Sequence, residues 1–103
     1  MNATLRTVVL TVAALAANTA AQADQALAQK KACLTCHTVD KKVVGPSFKE
    51  VAAKYAKDSK AAAMLADKII KGGSGNWGNA PMPPNSVTPE ESKKLVAWIL
   101  SLK

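Results

Sequence analysis

From Asp24 onward, stretches whose apolar residues recur every three or four positions alternate with shorter stretches rich in Gly, Pro and Asn. No run of alternating β-branched residues is long enough to form a sheet, so the pattern predicts an all-α domain of about four helices. The first helix starts at Asp24, a good N-cap, and runs to Cys33; it is polar apart from Ala26, Leu27, Ala28 and Ala32. A short second helix follows Pro46, over Phe48 to Tyr55. The third begins near Asp58 or Ser59 and carries Ala61, Met64, Leu65, Lys68 and Ile69 at helical spacing until Gly72 and Gly73 stop it. The fourth has the fullest signature, with Thr88 as N-cap, Pro89 in the first turn and Glu91 completing a capping box. Its stripe of Leu95, Trp98, Ile99 and Leu102 is expected to bury against the first and third helices.

Residues 1–23 follow a different pattern. Met1 to Arg6 carries one basic side chain, Thr7 to Ala17 is almost wholly apolar, and Ala21-Gln22-Ala23 is a small-x-small cleavage signal. This is the layout of a secretory signal peptide, with cleavage expected after Ala23 and a retained anchor as the second reading. Residues 24–103 then form a single small domain, close to the lower limit for a self-sufficient core. That domain holds 13 lysines and no arginine against seven acidic residues, a formal charge of +6. An all-lysine surface suits encounter with acidic protein surfaces, whereas nucleic-acid recognition recruits Arg forks and interleaved aromatics.

Candidate chemistry is concentrated in Cys33-Leu34-Thr35-Cys36-His37. Two thiols three apart followed at once by an imidazole is the attachment pattern of c-type haem. On a helical turn, positions i, i+3 and i+4 share a face, so both sulfurs can meet the haem vinyl groups while His37 addresses the iron. Zinc would need four ligands, and this segment supplies three. A thioredoxin-like redox pair would need a strand and a βαβ pattern around the motif, which Ala, Gln and Lys do not provide. A covalent haem also explains how a domain with only Phe48, Tyr55, Trp77 and Trp98 as aromatics fills its interior.

The second informative stretch is Gly72 to Pro89, 18 positions without a charged residue. Pro81, Pro83 and Pro84 hold Met82 on a stiff, extended loop. With no second histidine, the candidates for a sixth iron ligand are Met82, Met64 or a lysine. Met64 sits in a helical stripe, where gap-filling is the expected role, so Met82 is favoured. A thioether favours ferrous iron and raises the reduction potential relative to bis-imidazole ligation.

With the haem motif, the Val43-Val44-Gly45-Pro46 run, Gly73 to Asn85 with Trp77 and Pro-Met-Pro-Pro-Asn, and the Trp98-Ile99-Leu100-Ser101 helix end, the chain resembles small bacterial class I cytochromes c of the cytochrome c551/c8 type. The resemblance covers residues 24–103. It implies a class I cytochrome c fold, about four helices wrapped around one covalently bound haem c, with Cys33 and Cys36 as attachment points and His37 and Met82 as metal ligands. It further implies that the Pro46 carbonyl accepts a hydrogen bond from the His37 imidazole, that Trp77 and Lys68 reach haem propionates, and that Asn85 hydrogen-bonds near the Met82 sulfur. Two positions depart from the family pattern. An aromatic residue is frequent five before the first Cys and a Gly just before it, where this chain has Ala28 and Ala32.

Both axial positions being filled, the expected activity is single-electron shuttling in the periplasm with no catalytic residue and no substrate bond made or broken. A gas-binding or peroxidase-like protein with a displaceable Met is the alternative, and a fixed electron-entry module of a larger complex is another. By resemblance the partners are redox proteins such as a bc1-type complex, a terminal oxidase or a nitrite reductase, met by a monomer without stable membrane insertion. Docking is expected at a haem edge where the uncharged loop, Val39 and Val43 are ringed by Lys30, Lys41 and Lys42.

Overall fold

In the computed structural model, residues 24–103 are described; the expected signal peptide lies outside the described residues. Four helices form: α1 over 24–30, α2 Phe48–Lys54, α3 Ala61–Lys71 and α4 Pro89–Ser101, with a 3₁₀ turn at Cys33–Thr35 between α1 and α2. Among the described residues there is no strand, only two isolated bridges, His37 with Lys42 and Gly73 with Met82. Both bridges lie in loops that border the site.

Local chemistry accounts for most helix ends. The Ser47 hydroxyl accepts from the Glu50 amide to cap α2. Thr88 and Glu91 form the expected capping box at α4, each side chain accepting from the other's backbone amide. α3 ends at Gly72, where φ is +75° and the amide donates to the Lys68 carbonyl.

Two expected boundaries move. α1 stops short of the cysteines because Ala32 adopts the left-handed conformation, φ 62° and ψ 19°, before the chain re-enters a helical turn at Cys33. α3 begins at Ala61, because the Asp58 carboxylate accepts from the Lys60 amide and closes a turn ahead of the helix.

The core joins Phe48 and Val51 of α2, Ala66 and Ile69 of α3, and Leu95, Val96, Trp98 and Ile99 of α4, with Ala28 of α1 fully enclosed at 0 % exposure. α4 is the central element, packing on both α2 and α3. Small residues let α3 and α4 approach: Ser92, at 0 % exposure, donates its hydroxyl to the Ala66 carbonyl at 2.6 Å. This satisfies a buried polar group that would otherwise cost stability. The gap-filling role expected of Met64 is corrected, since this residue is 42 % exposed on the outer side of α3. No helix among the described residues is long and apolar enough to cross a membrane.

Candidate haem site

The cysteine segment closes on itself before it meets the rest of the molecule. The Cys33 carbonyl accepts from the amides of both Cys36, at 3.3 Å, and His37, at 3.0 Å, so the motif forms one tight helical turn. The Gly45 amide then donates to the Cys36 carbonyl at 2.8 Å, and the Phe48 amide donates to the Thr38 carbonyl at 2.8 Å. These bonds fold Val43–Pro46 back against the imidazole.

Three contacts fix the His37 ring. Its Nδ1 lies 2.7 Å from the Pro46 carbonyl oxygen. A carbonyl only accepts, so Nδ1 carries the proton and the neutral ring keeps its lone pair on Nε2. Phe48 stacks on the ring with centroids 5.2 Å apart and planes 19° from parallel, and Trp98 meets Phe48 edge-on at 5.4 Å. Gly45 lies against the imidazole so closely that a Cβ there would be 2.5 Å from Cε1, 2.8 Å from Nδ1 and 3.0 Å from Nε2. Any side chain at residue 45 would displace the ring.

The Met82 segment is tied at fewer points. Gly73 and Met82 exchange backbone hydrogen bonds, 2.9 Å from the Gly73 amide and 2.7 Å from the Met82 amide, which pin the methionine beside the end of α3. A Cβ at Gly72 would run into the Met82 carbonyl oxygen, so the loop passes over the glycines at bare-backbone distance. Asn85 donates its amide nitrogen to the Ile69 carbonyl at 2.9 Å and to the Pro83 carbonyl at 3.2 Å. Both N–H donors of Asn85 therefore hold backbone, one of them the carbonyl of the residue that follows Met82.

These segments border one cavity of about 350 Å³, mostly apolar, that includes Cys33, Cys36, His37 and Met82 on its wall. Lys68, Trp77, Pro46 and Asn85 also reach it, whereas Met64 does not. The sequence-predicted site residues are thus brought to one place. Val39, expected on the docking surface, instead packs half-buried against the core, while Val43 and Val44 are exposed.

The two cysteines are half-buried and form no disulfide with each other. Burial pushes the Cys33 thiol above its ordinary pKa, opposed by a smaller backbone hydrogen-bond effect. A redox-active pair needs the opposite, a lowered thiol pKa. Among the described residues no group of three or more His, Cys, Asp or Glu side chains is placed to hold a metal ion. Two thiols, an imidazole with one free nitrogen and a thioether around an apolar cavity fit a covalently attached iron porphyrin in polarity and donor set.

Comparison with known proteins agrees. The cytochrome c family model matches residues 21–103. The chain belongs to the cytochrome c family. Cytochrome c-551 of Pseudomonas denitrificans is 53 % identical over 77 residues, which cover 75 % of this chain and 94 % of that protein. Cytochrome c-551 of Azotobacter vinelandii is 56 % identical over 77 residues, with the same coverage. The crystal structure of Nitrosomonas europaea cytochrome c552 superimposes with a TM-score of 0.74 at 52 % identity, covering 77 % of this chain and 99 % of that one. The protein is a small class I monohaem cytochrome c of the c551 type, an electron carrier with haem c attached covalently through Cys33 and Cys36.

Three residues of the site carry no separate signal in the chain. Phe48 reads as a core residue of a short helix, yet it stacks on His37. Gly45 reads as part of a Gly-Pro turn, and its closeness to the imidazole is a tertiary fact. Lys54 reads as one of 13 lysines, yet its ammonium sits 4.4 Å from the centroid of Trp77.

Proposed function

We propose that this cytochrome is exported to the periplasm, holds its iron between His37 Nε2 and the Met82 sulfur, and shuttles single electrons between respiratory or denitrification partners. The haem supplies the one-electron couple. The chain's residues hold the ring, fix the tautomer of one ligand, position the other and keep water out. The observation that carries the reading is the single apolar cavity bordered by both cysteines, by His37 with Nδ1 committed to Pro46, and by Met82 pinned to Gly73. The Nδ1–H bond to a carbonyl raises the basicity of the other ring nitrogen, as an outer hydrogen bond does for a metal-bound histidine.

Trp77 and Lys68, which border the same cavity, are the proposed propionate contacts. The proposed partner surface is the edge where exposed Val43 and Val44 adjoin Lys41 and Lys42, with Val44 sharing the cavity wall with the uncharged loop. A small apolar patch ringed by lysines favours short-lived complexes, because charge speeds encounter while little desolvated area holds the partners together. A bc1-type complex, a terminal oxidase and a nitrite reductase are the partner classes that suit such a carrier. The signal-peptide pattern of residues 1–23 supports export.

Potentiometry of Met82→His tests the ligand assignment. A second imidazole in place of the thioether lowers the reduction potential. A potential and a visible spectrum identical to the parent protein would remove Met82 from the iron.

A further inference from the structure

The loop between α3 and α4 is uncharged and largely exposed, with Gly75 and Gly78 at φ of +100° and +111°. A Cβ on either glycine would meet no protein atom within 4 Å. Its tip, Asn76-Trp77, nevertheless borders the haem cavity, with Trp77 at 37 % exposure.

Lys54, the last residue of α2, reaches this tip. The ammonium donates to the Asn76 carbonyl at 3.2 Å and sits over the Trp77 ring at 4.4 Å from its centroid. The neighbouring Tyr55 ring lies 5.6 Å from the same nitrogen. A cation within about 6 Å of an indole face is attracted by the ring quadrupole, and a charged donor makes a stronger bond to a carbonyl than a neutral one. Within the loop itself the tip has the Gly75 amide bond to the Gly78 carbonyl, 3.1 Å. Other ties, at Gly73–Met82, Asn85–Ile69 and Lys31–Ser86, lie toward its base.

We infer that Lys54 is a clasp, a positioning residue that closes the Trp77 loop over the cavity and thereby governs how readily the segment ending in Met82 opens to an exogenous iron ligand. The inference rests on the proposed Met82 ligation for its second half only. Lys54 touches neither cysteine nor His37; it acts through Asn76 and Trp77.

The test compares the haem-loaded parent protein with Lys54→Met, which keeps the aliphatic stem and removes the ammonium, with Lys54→Arg, which restores a cation and donor, and with Lys57→Met. The last deletes an equal charge from the exposed residue three further along. Two readouts are taken on each: hydrogen exchange of the Gly75 amide, and the affinity of the ferric protein for added imidazole. Lys54→Met is expected to raise both by about tenfold, on the order of one lost cation–π contact and one lost charged hydrogen bond. Lys54→Arg and Lys57→Met are expected to stay within about twofold of the parent, the size of a loss on which neither contact depends.

Unchanged Gly75 exchange in Lys54→Met overturns the clasp. Faster exchange with unchanged imidazole affinity overturns its control of the iron site. An equal effect in Lys57→Met overturns the contact-based account in favour of net charge. Because Gly75 exchange reads the loop whatever ligates the iron, failure of the Met82 assignment leaves that half of the test intact.

Discussion

The two segments that meet at the cavity are built in different ways. The stretch from Cys33 to Phe48 is short, closes through bonds between near neighbours, and ends in a residue that is itself core: His37 is held by Pro46, Gly45 and Phe48, and Phe48 by Trp98. The stretch from Gly72 to Pro89 is largely exposed; it is tied to itself at Gly73–Met82 and fastened to the rest of the molecule by isolated long-range bonds from Asn85 to Ile69, Lys54 to Asn76 and Lys31 to Ser86. On the proposed ligation, one iron ligand is seated in the folded core and the other on a strap. On that proposal the imidazole, held by Pro46, Gly45 and Phe48, would keep its place, and the uncharged strap would leave the cavity edge accessible. The difference also forecasts where the site fails first, since segments with few buried contacts open at lower free energy than the global fold.

The largest expected effect breaks the fixed side. Gly45→Ala would place a Cβ 2.5 Å from the His37 ring. Overpacking of this kind costs about 1–3 kcal/mol. Guanidinium unfolding should show that loss, together with an altered ferric spectrum as the ring leaves the Pro46 carbonyl. Asn85→Ala is the corresponding break in the strap. It removes bonds to the Ile69 and Pro83 carbonyls. With one hydrogen bond worth about 1 kcal/mol, a loss of about 1–2 kcal/mol is expected, with loop amides exchanging faster and those of α4 unchanged. An unchanged potential and ferric spectrum in that variant would confine Asn85 to loop support and separate it from the Met82 sulfur.

A gain is expected at the entry to the cysteine turn. Ala32 has φ 62°, a conformation that carries a penalty of about 1–2 kcal/mol for a residue with a Cβ. Ala32→Gly relieves it at the cost of a more flexible unfolded chain, so a net stabilisation of about 0.5–1 kcal/mol is expected by thermal or denaturant unfolding. The departure from the family pattern at this residue is therefore strain, whereas the one at Ala28 is a fit: that methyl is fully enclosed, and Ala28→Phe is expected to destabilise by overpacking.

The smallest effect lies at the seam between the two segments. Lys31, two residues before Cys33, pairs with Glu91 at 3.4 Å and donates to the Ser86 carbonyl at 3.3 Å. The Thr88 amide, followed by Lys31, holds the Glu91 carboxyl below its ordinary value of 4.5. A carboxylate whose folded pKa is depressed stabilises the fold above its unfolded pKa, and that contribution disappears as pH falls through the folded pKa. Stability of the parent protein should therefore decline below pH 4.5 relative to Glu91→Gln. The two curves should run parallel at neutral pH, and the partial exposure of the Glu91 side chain, 27 %, keeps the difference small.

Legibility in the sequence followed the same divide between local and distant. The α4 cap was readable because Thr88, Pro89 and Glu91 make their bonds within one turn. The cysteine motif was readable because its spacing is its chemistry. Asp58 misled because the same side chain that caps a helix also closes a turn, and here it does the latter. Met64 misled because a helical stripe does not say which edge of it reaches the core. Ser92 and Lys54 left no trace, since their partners, Ala66 and Asn76, are distant in the chain and are backbone carbonyls that any residue would supply.

The most direct test of the central claim is the optical spectrum of the haem-loaded protein, oxidised and reduced, with and without carbon monoxide. A seated His37 and a strapped Met82 predict a low-spin c-type spectrum, the weak red charge-transfer band of ferric iron bound to methionine sulfur, and no response to carbon monoxide. A high-spin ferric spectrum, or immediate carbon monoxide binding by the reduced protein, would contradict the account by showing that the loop leaves the iron open.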